Sequence, residues 1–440
     1  MKFTGLLDNR NDGVDRMDQN TYSQYVQILH EELVPAMGCT EPIAIAYASA
    51  IARKTLGCLP ERTELKVSAN IIKNVKSVVV PNTGELRGIA AAAAAGIVAG
   101  RADDQLQVLS KVTAAQVDQI ASVLKTMPIS VEQSDMPYVF DIQVRVYAGE
   151  DQAFCQIAGY HTNVICVSKN GEILQERPYE EQTAAYKTDR SLLNIASIVD
   201  FADTVNIDDV KALLYRQIQC NTAIAEEGLS GRWGSNIGQV LLHAYGDNVH
   251  TRAKAMAAAG SDARMSGCEM PVVINSGSGN QGLTASLPVI VYARDMGVSD
   301  EELYRALVVS NLVTIHLKTG IGTLSAYCGA TSAGCGAGAG ICYLHGGKND
   351  AIAHTVVNAL AINSGMICDG AKASCAAKIA SAVEAGLLGW QMQTQGSEFI
   401  GGDGIVTKGV ENTIRNVGRV ARFGMVDTDR EIIDIMISSC

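Results

Sequence analysis

The feature that most constrains this fold is the density of alanine and glycine in its long apolar stretches. GIAAAAAAGIVAG, residues 88–100, and LSAYCGATSAGCGAGAGICYLHG, residues 324–346, use these two residues more than any others. The whole chain has 42 glycines but only 5% aromatic residues. Because small side chains let helix backbones approach closely, we predict a helix-rich, tightly packed core. The first stretch is too short, and the second too rich in glycine and polar groups, for a membrane span.

Length and charge narrow the class of protein. The 440 residues, 47% of them hydrophobic, can form two or three globular domains with ample core. The 46 acidic residues outnumber the 35 basic ones, for a net charge of -11, and no basic run offers a surface for phosphates. The N-terminal stretch MKFTGLLDNRNDGVDRMDQN lacks the apolar centre of a signal peptide. We therefore expect a cytoplasmic protein that binds neither nucleic acid nor a membrane.

Hydrophobic periodicity divides the chain into three regions. Residues 1–58 have the apolar spacing of two helices, whereas residues 59–188 mix alternating strand patterns with helices. In the second region the Asn170-Gly171 pair predicts a tight hairpin. Residues 189–440 have almost only helical patterns. We predict an α+β fold, with a large all-helical catalytic domain at 189–440, a smaller α+β domain inserted at 59–188, and the N-terminal helices packing on the catalytic domain.

Cys39 is the first candidate for chemistry among the twelve cysteines, most of which we expect to be reduced and buried. Thr40 is a good N-cap residue, so we expect a helix to begin just after it and Cys39 to lie at the N-terminus of that helix. Unpaired N–H groups and the helix dipole favour a thiolate at such a position, and a thiolate can act as a base or a nucleophile. The alternative is a buried structural cysteine in a tight turn.

Three further cysteines, Cys328, Cys368 and Cys375, have the spacing C-x39-C-x6-C. Three thiolates suit one iron-sulfur cubane with an open iron, because a fourth cysteine ligand would close the cluster to substrate. The spacing matches neither a ferredoxin pattern nor a zinc ribbon, so three unrelated buried thiols remain an equal alternative.

Two sets of polar residues could bind a substrate. In NSGSGNQG, residues 275–282, the donors of Ser276, Gly277, Ser278 and Asn280 could converge on a carboxylate, although the segment could equally be a flexible turn before a buried helix. Lys73, His161 and Asn163 lie near predicted strand ends, where they are candidates only if they share a cleft with Cys39. In SDARMSG, residues 261–267, we expect Asp262 and Arg264 to form a structural ion pair outside the catalytic set.

Seven motifs in order resemble those of the iron-sulfur L-cysteine desulfidases, a group that includes the serine dehydratase-like alpha subunit proteins of the UPF0597 type. The resemblance covers about residues 20–436 and is much more specific than any single motif. The motifs are GCTEPIAIA, GYHTN, EEGLSGRWG, SDARMSG, NSGSGNQG, LSAYCGATSA and GMICDGAKASC.

The resemblance implies a [4Fe-4S] enzyme without pyridoxal phosphate that degrades L-cysteine to pyruvate, ammonia and hydrogen sulfide. Cys328, Cys368 and Cys375 would ligate the cluster, and Cys39 would remove the Cα proton. An L-serine dehydratase is the alternative, although the x6 spacing favours the desulfidase branch. The terminal Cys440 resembles free cysteine and is a candidate regulatory tail that could cap the open iron, with a frayed, exposed end as the alternative. A homodimer is compatible with the sequence.

Two alternative interpretations are a pyridoxal-phosphate enzyme and a redox sensor without enzymatic activity. The S-G-N-Q-G loop is similar to the substrate loop of pyridoxal-phosphate dehydratases, but no lysine and phosphate loop of that kind is evident. An iron-sulfur redox sensor without enzymatic activity would also use clustered cysteines and a glycine-rich loop. A sensor would be expected to carry a DNA-binding or partner motif, which this acidic chain lacks.

Overall fold

The computed structural model describes residues 17–179, 188–231, 233–322 and 324–438 and confirms an α+β fold with a large helical part. The α-helices are α1 Gln19–Glu32, α2 Thr40–Leu56, α3 Ala69–Val75, α4 Gly88–Ala99, α5 Ala114–Thr126, α6 Ile195–Thr204, α7 Lys211–Gly228, α8 Ile237–Tyr245, α9 Val249–Met265, α10 Gly279–Met296, α11 Asp300–Ile321, α12 Gly329–Leu344, α13 Asn349–Ile362, α14 Ser374–Thr394, α15 Val410–Arg419 and α16 Val426–Ser438. The strands are β1 Pro35–Met37, β2 Arg62–Val67, β3 Ile129–Gln133, β4 Asp141–Ala148, β5 Asp151–Ala158, β6 Val164–Lys169, β7 Glu172–Glu176 and β8 Pro271–Val273.

A six-stranded mixed sheet forms the centre of the second region, in the order β3-β2-β4-β5-β6-β7. Strands β2 and β3 are parallel, and the other neighbours are antiparallel. The predicted hairpin is confirmed between β6 and β7, where Asn170 and Gly171 have φ of 51° and 87°. Both values lie in the left-handed region, which asparagine and glycine tolerate best.

One face of this sheet is buried beneath helix α2. Alternate residues of β4, namely Ile142, Val144 and Val146, are buried, as the alternating pattern of the strand predicts. Helix α2 packs on β4, β5 and β6 and also against α4, the polyalanine helix. The alanine-rich surface of α4 therefore allows a close two-helix layer over the sheet.

The helices from α6 onward form the larger part of the molecule. Helix α12 packs against α10, α11, α13 and α14, which makes it the central helix of this region. A Cβ atom on Gly338 of α12 would collide with the backbone of Gly386 in α14. The predicted close helix packing is therefore present where glycine faces glycine. This region is not entirely helical, because the short strand β8 pairs with β1.

The two N-terminal helices pack on different parts of the molecule. Helix α1 contacts α11, and its Tyr22 and Tyr25 rings lie against Phe201 of α6. Helix α2 instead packs on the sheet, so its main contacts are with the α+β part of the molecule. The three-domain division itself stays a prediction. Among the described residues, no helix combines the length and apolar character needed to cross a membrane.

Candidate active site

A cavity of about 110 Å³ lies where the start of α2 meets the segments that precede α10, α12 and α14. Each of these segments is a helix N-terminus or the loop before one. The predicted site residues that line it are Cys39, His161, Ser276, Gly277, Ser278, Asn280, Cys328, Cys368 and Cys375. The fold thus brings together side chains that are more than 300 residues apart in the chain.

Cys328 and Cys368 are held side by side by their backbones. An isolated antiparallel bridge joins Tyr327 to Ile367, and the Cys368 N–H donates to the Ala326 carbonyl at 2.6 Å. The Cys328 N–H donates to the Met366 carbonyl at 3.0 Å. The Cys328 thiol donates a hydrogen bond to Cys368, which lowers the pKa of Cys368, and the nearby Lys73 and Lys318 lower it further. Cys368 is therefore the cysteine of this pair that favours the thiolate form.

Cys375 lies in the first turn of α14 and faces the same cavity. Together with Ala371 it packs against a small apolar cluster of Cys39, Val78 and Met265. Burial raises its pKa.

Two lysines also line the cavity. Lys378 is paired with Asp369, and Lys318 is almost fully buried. Burial lowers the pKa of Lys318 to about 8, although Cys368 and Cys328 oppose that shift. This side of the cavity therefore combines three thiols with positive charge.

Cys39 is the N-cap residue of α2, and its thiol donates a hydrogen bond to Oε2 of Glu41 at 3.1 Å. Burial raises the pKa of Cys39 well above its ordinary value, and the Glu41 carboxylate raises it further, while Arg264 acts in the opposite direction. The expectation that the helix N-terminus favours a thiolate is therefore wrong for this chain. Desolvation and a neighbouring negative charge outweigh the helix dipole, so the thiol is neutral at rest.

The glycine-rich segment forms a tight turn before α10. Asn275 and Ser278 exchange two backbone hydrogen bonds, and Ser276 and Gly277 between them have φ of 49° and 76°. The Asn275 side chain is fully buried and donates to Asn311, which anchors the turn. The Gly277 carbonyl accepts a hydrogen bond from the Thr40 hydroxyl at 2.9 Å, so the turn and the start of α2 are joined. The turn is built into the cavity wall.

His161 lies between this cavity and a larger neighbouring one of about 520 Å³. Ser276, Gly277 and Lys318 also line both cavities. The His161 ring packs against Phe140, and its Nε2 atom is buried without a hydrogen-bond partner among the described residues. Burial lowers the pKa of His161, so the imidazole is neutral at pH 7. The two cavities are therefore neighbours, and Glu31 lines the larger one.

The other predicted site residues lie elsewhere. Lys73 is buried in α3 and forms an ion pair with Asp429 of α16, so its ammonium group does not line the cavity, although it lowers the pKa of Cys368. Asn163 donates to the Ala158 carbonyl and is likewise absent from the lining. Cys440 falls outside the described residues.

Some cavity residues were not predicted from the sequence. Glu41 stands within the GCTEP motif and was overlooked beside Cys39, whereas Lys318 had no motif to mark it. Arg264 was expected to pair with Asp262, and this expectation is wrong. Asp262 accepts hydrogen bonds from the N–H groups of Ser235 and Ile237 instead, and Arg264 faces the cavity.

The fold and the cavity together define an α+β protein with a small, charged, cysteine-lined site next to its central helical bundle. The sequence profile of the serine dehydratase alpha chain matches residues 103–434. Because that match covers most of the chain, this protein belongs to the serine dehydratase alpha chain family. The predicted family resemblance is confirmed, and the family indicates a lyase.

Relatives that match over nearly their whole length support the same family membership. A UPF0597 protein of Desulfitobacterium hafniense is 57% identical, over 97% of this chain and 99% of its own length. A UPF0597 protein of Lachnoclostridium phytofermentans is 49% identical over 95% of this chain and its own whole length. A UPF0597 protein of Treponema denticola is 45% identical over 96% of this chain and 99% of its own length.

Proposed function

We propose that this chain is an iron-sulfur lyase that converts L-cysteine to pyruvate, ammonia and hydrogen sulfide. The observation that carries the proposal is that Cys328, Cys368 and Cys375 share one small cavity with the hydrogen-bonded pair Cys39 and Glu41. Membership in the serine dehydratase alpha chain family supports elimination chemistry.

In this proposal the thiols of Cys328, Cys368 and Cys375 would hold an iron-sulfur cluster. Cysteine thiolates are the usual ligands of such clusters, and the positive charge of Lys318 and Lys378 offsets the charge of several thiolates. When bound by only three cysteines, such a cluster supplies an open iron that acts as a Lewis acid.

Cys39 and Glu41 supply the proton chemistry. The resting thiol is neutral, and the Glu41 carboxylate at 3.1 Å accepts its proton as the substrate docks. The resulting Cys39 thiolate removes the Cα proton of L-cysteine, and the electron pair of the C–H bond forms the Cα–Cβ double bond. The Cβ–S bond breaks and hydrosulfide leaves. The aminoacrylate product tautomerises to an imine, which water hydrolyses to pyruvate and ammonia.

The turn before α10 positions the substrate. The N–H groups at the start of α10 and the Ser278 hydroxyl lie beside the cavity, where they can donate to the substrate carboxylate. The Ser276 hydroxyl donates to Asn275, so Ser276 acts mainly through the turn it shapes. The neutral His161 offers its Nε2 atom to the substrate amine. Lys73 and Asn163 do not line the cavity, so they would act on the substrate only through the residues that do.

L-Serine is the second candidate substrate. The name of the matching family favours it, and L-serine differs from L-cysteine only in an oxygen for the sulfur. The same residues would then remove the Cα proton, and water would leave in place of hydrosulfide.

Anaerobic reconstitution tests the proposal. The protein is loaded with iron and sulfide, and pyruvate release is measured from L-cysteine and L-serine, with sulfide release from L-cysteine. Cys368→Ala should abolish turnover, whereas Cys335→Ala, in α12 outside the cavity lining, should retain it. Preference for L-serine would select the second candidate. A fully loaded protein that turns over neither amino acid would reject both and favour a sensor.

A further inference from the structure

We infer that Arg264 forms the binding site for the α-carboxylate of the substrate. Arg264 lies at the end of α9 and lines the cavity that contains Cys39. This inference deepens the proposed function and rests on it, because it assigns the residue that binds the carboxylate of that substrate. The family motif SDARMSG contains the residue, but the structure alone reveals its environment.

Arg264 is a buried cation without a carboxylate partner. It is 3% exposed, and within the described ranges no Asp or Glu oxygen lies within 4 Å of its guanidinium. Its Nε donates to the Gly38 carbonyl at 2.9 Å and its Nη1 to Oδ1 of Asn280 at 3.1 Å. A guanidinium has five N–H groups, so three are left without an acceptor in this part of the protein. A buried charge in this state favours an anion in the cavity.

Arg190 provides the contrast within the same molecule. It is the other buried arginine of the described chain, at 5% exposed. Its Nη2 lies 2.8 Å from Glu31 and 3.1 Å from Glu32, so its charge is balanced by the protein itself. Two carboxylates thus neutralise Arg190, whereas Arg264 has no carboxylate partner among the described residues.

The surroundings of Arg264 hold the guanidinium in place. A Cβ atom on Gly279 would collide with Nε of Arg264, so glycine at the first position of α10 makes room for the side chain. The bond to Gly38 fixes the guanidinium beside the start of α2, and the bond to Asn280 fixes it beside the start of α10. A carboxylate here would meet the guanidinium together with the N-terminal N–H groups of α10.

The position also orients the substrate for the proposed reaction. Arg264 is close enough to Cys39, Cys375 and His161 to lower the pKa of each. Burial has the larger effect, and it raises the pKa of the two cysteines but lowers that of His161. A carboxylate bound by Arg264 thus places the adjacent Cα next to Cys39. The side chain of the amino acid then extends toward Cys328 and Cys368, which lie side by side in the cavity wall.

Ligand binding to the full, metal-free chain tests this assignment without requiring turnover. Isothermal titration with L-alanine, ethylamine and inorganic phosphate separates the carboxylate from the amine and from anions in general. L-Alanine should bind the wild-type protein, and Arg264→Gln should weaken it by about 10- to 100-fold, the usual range for hydrogen bonds to charged groups. Arg264→Lys should weaken L-alanine binding less than Arg264→Gln does, because the ammonium keeps the positive charge. It should still bind more weakly than the wild type, because one ammonium cannot form the two parallel bonds of a guanidinium. Arg252→Gln, on the same helix α9 but in a surface ion pair, should bind as the wild type does.

Several results would overturn the assignment. They are L-alanine binding by Arg264→Gln within about twofold of the wild type, equal binding of ethylamine or phosphate, or no L-alanine binding by the wild type. If Arg264→Gln fails to fold, Arg264→Lys decides, and unchanged affinity there counts against the assignment. Because the readout is binding, a protein that binds L-alanine through Arg264 but turns over no amino acid would keep the carboxylate site and reject the lyase.

Discussion

The Cys39 thiol donates a hydrogen bond to Oε2 of Glu41, two residues further along the chain, across 3.1 Å. The Thr40 hydroxyl between them lies 3.1 Å from this oxygen and 2.9 Å from the Gly277 carbonyl, and its one proton can be donated to either, so the pair lies against the turn before α10. The contact means that a neutral thiol has its proton acceptor already in place. In the proposed mechanism, this contact lets Cys39 become a base despite its burial.

Replacing Glu41 by glutamine should therefore remove that acceptor. The amide can still accept the hydrogen bond but cannot take the proton, so kcat should fall by about 10²- to 10⁴-fold while KM changes little. Steady-state pyruvate release by the reconstituted protein measures both. Glu302→Gln, at a similar position in the first turn of α11, is the control and should match the wild type. A Glu41→Gln enzyme with normal kcat would remove Glu41 from the mechanism.

The three cavity cysteines should determine iron content. Alanine at Cys328, Cys368 or Cys375 should prevent retention of a full cluster, because each thiolate would bind its own iron. Iron and sulfide per chain, with the visible absorbance, are measured after anaerobic reconstitution and desalting. Cys335→Ala is the control, since Cys335 is buried in α12 outside the cavity lining. Full iron in any of the three cavity variants would exclude that residue as a ligand.

His161 should make the stability of the protein dependent on pH. Burial lowers its pKa from the ordinary value of 6.5, so below that pH the unfolded chain binds more protons than the folded one. The stability present above pH 6.5 is then lost as the pH falls toward the folded-state pKa. His161→Gln lacks this term, so the wild-type Tm minus the variant Tm should be larger at pH 7.5 than at pH 5.5. An equal difference at both pH values in metal-free protein would contradict the assignment.

The contact between α12 and α14 should not tolerate a methyl group. A Cβ atom on Gly386 would collide with the Gly334 carbonyl, so Gly386→Ala must push two helix backbones apart. We expect a loss of about 1–3 kcal/mol, the usual range for overpacking, seen as a lower Tm. Gly365→Ala is the matched control, because a Cβ there meets nothing within 4 Å. Equal Tm values for the two variants would show that the helices can separate without cost.

Much of the fold could be predicted from local patterns. Alternation along β4, the Asn170-Gly171 pair and the alanine-rich run of α4 each act over a few residues, and each formed the expected element. Helix α2 was also predicted, but its packing on the sheet was not. Its helical character depends on its own residues, whereas its partner depends on how distant elements assemble.

The candidate site was predictable as a set of residue types but not as an arrangement. Motif order marked Cys39, the three later cysteines and the turn at Ser276, and the structure gathers them in one cavity. The order of motifs could not show that Lys73 pairs with Asp429, some 350 residues away. Nor could it show the bridge that joins Tyr327 to Ile367 and sets Cys328 beside Cys368.

The sequence by itself therefore determined the helices, the strands, the family and the cysteines of the cavity, but not the place of Glu41, Arg264 and Lys318 in it. Only the tertiary structure decided the charge of those side chains and their partners. Cys39 illustrates the reason, because the helix N-terminus readable from sequence favours a thiolate, while burial and Glu41 reverse the effect. Arg264 illustrates it again, since its neighbour Asp262 turns to the start of α8 and leaves the arginine in the cavity. Periodicity and propensity act between near neighbours in the chain, whereas desolvation and Coulomb interactions depend on which distant segments surround a group.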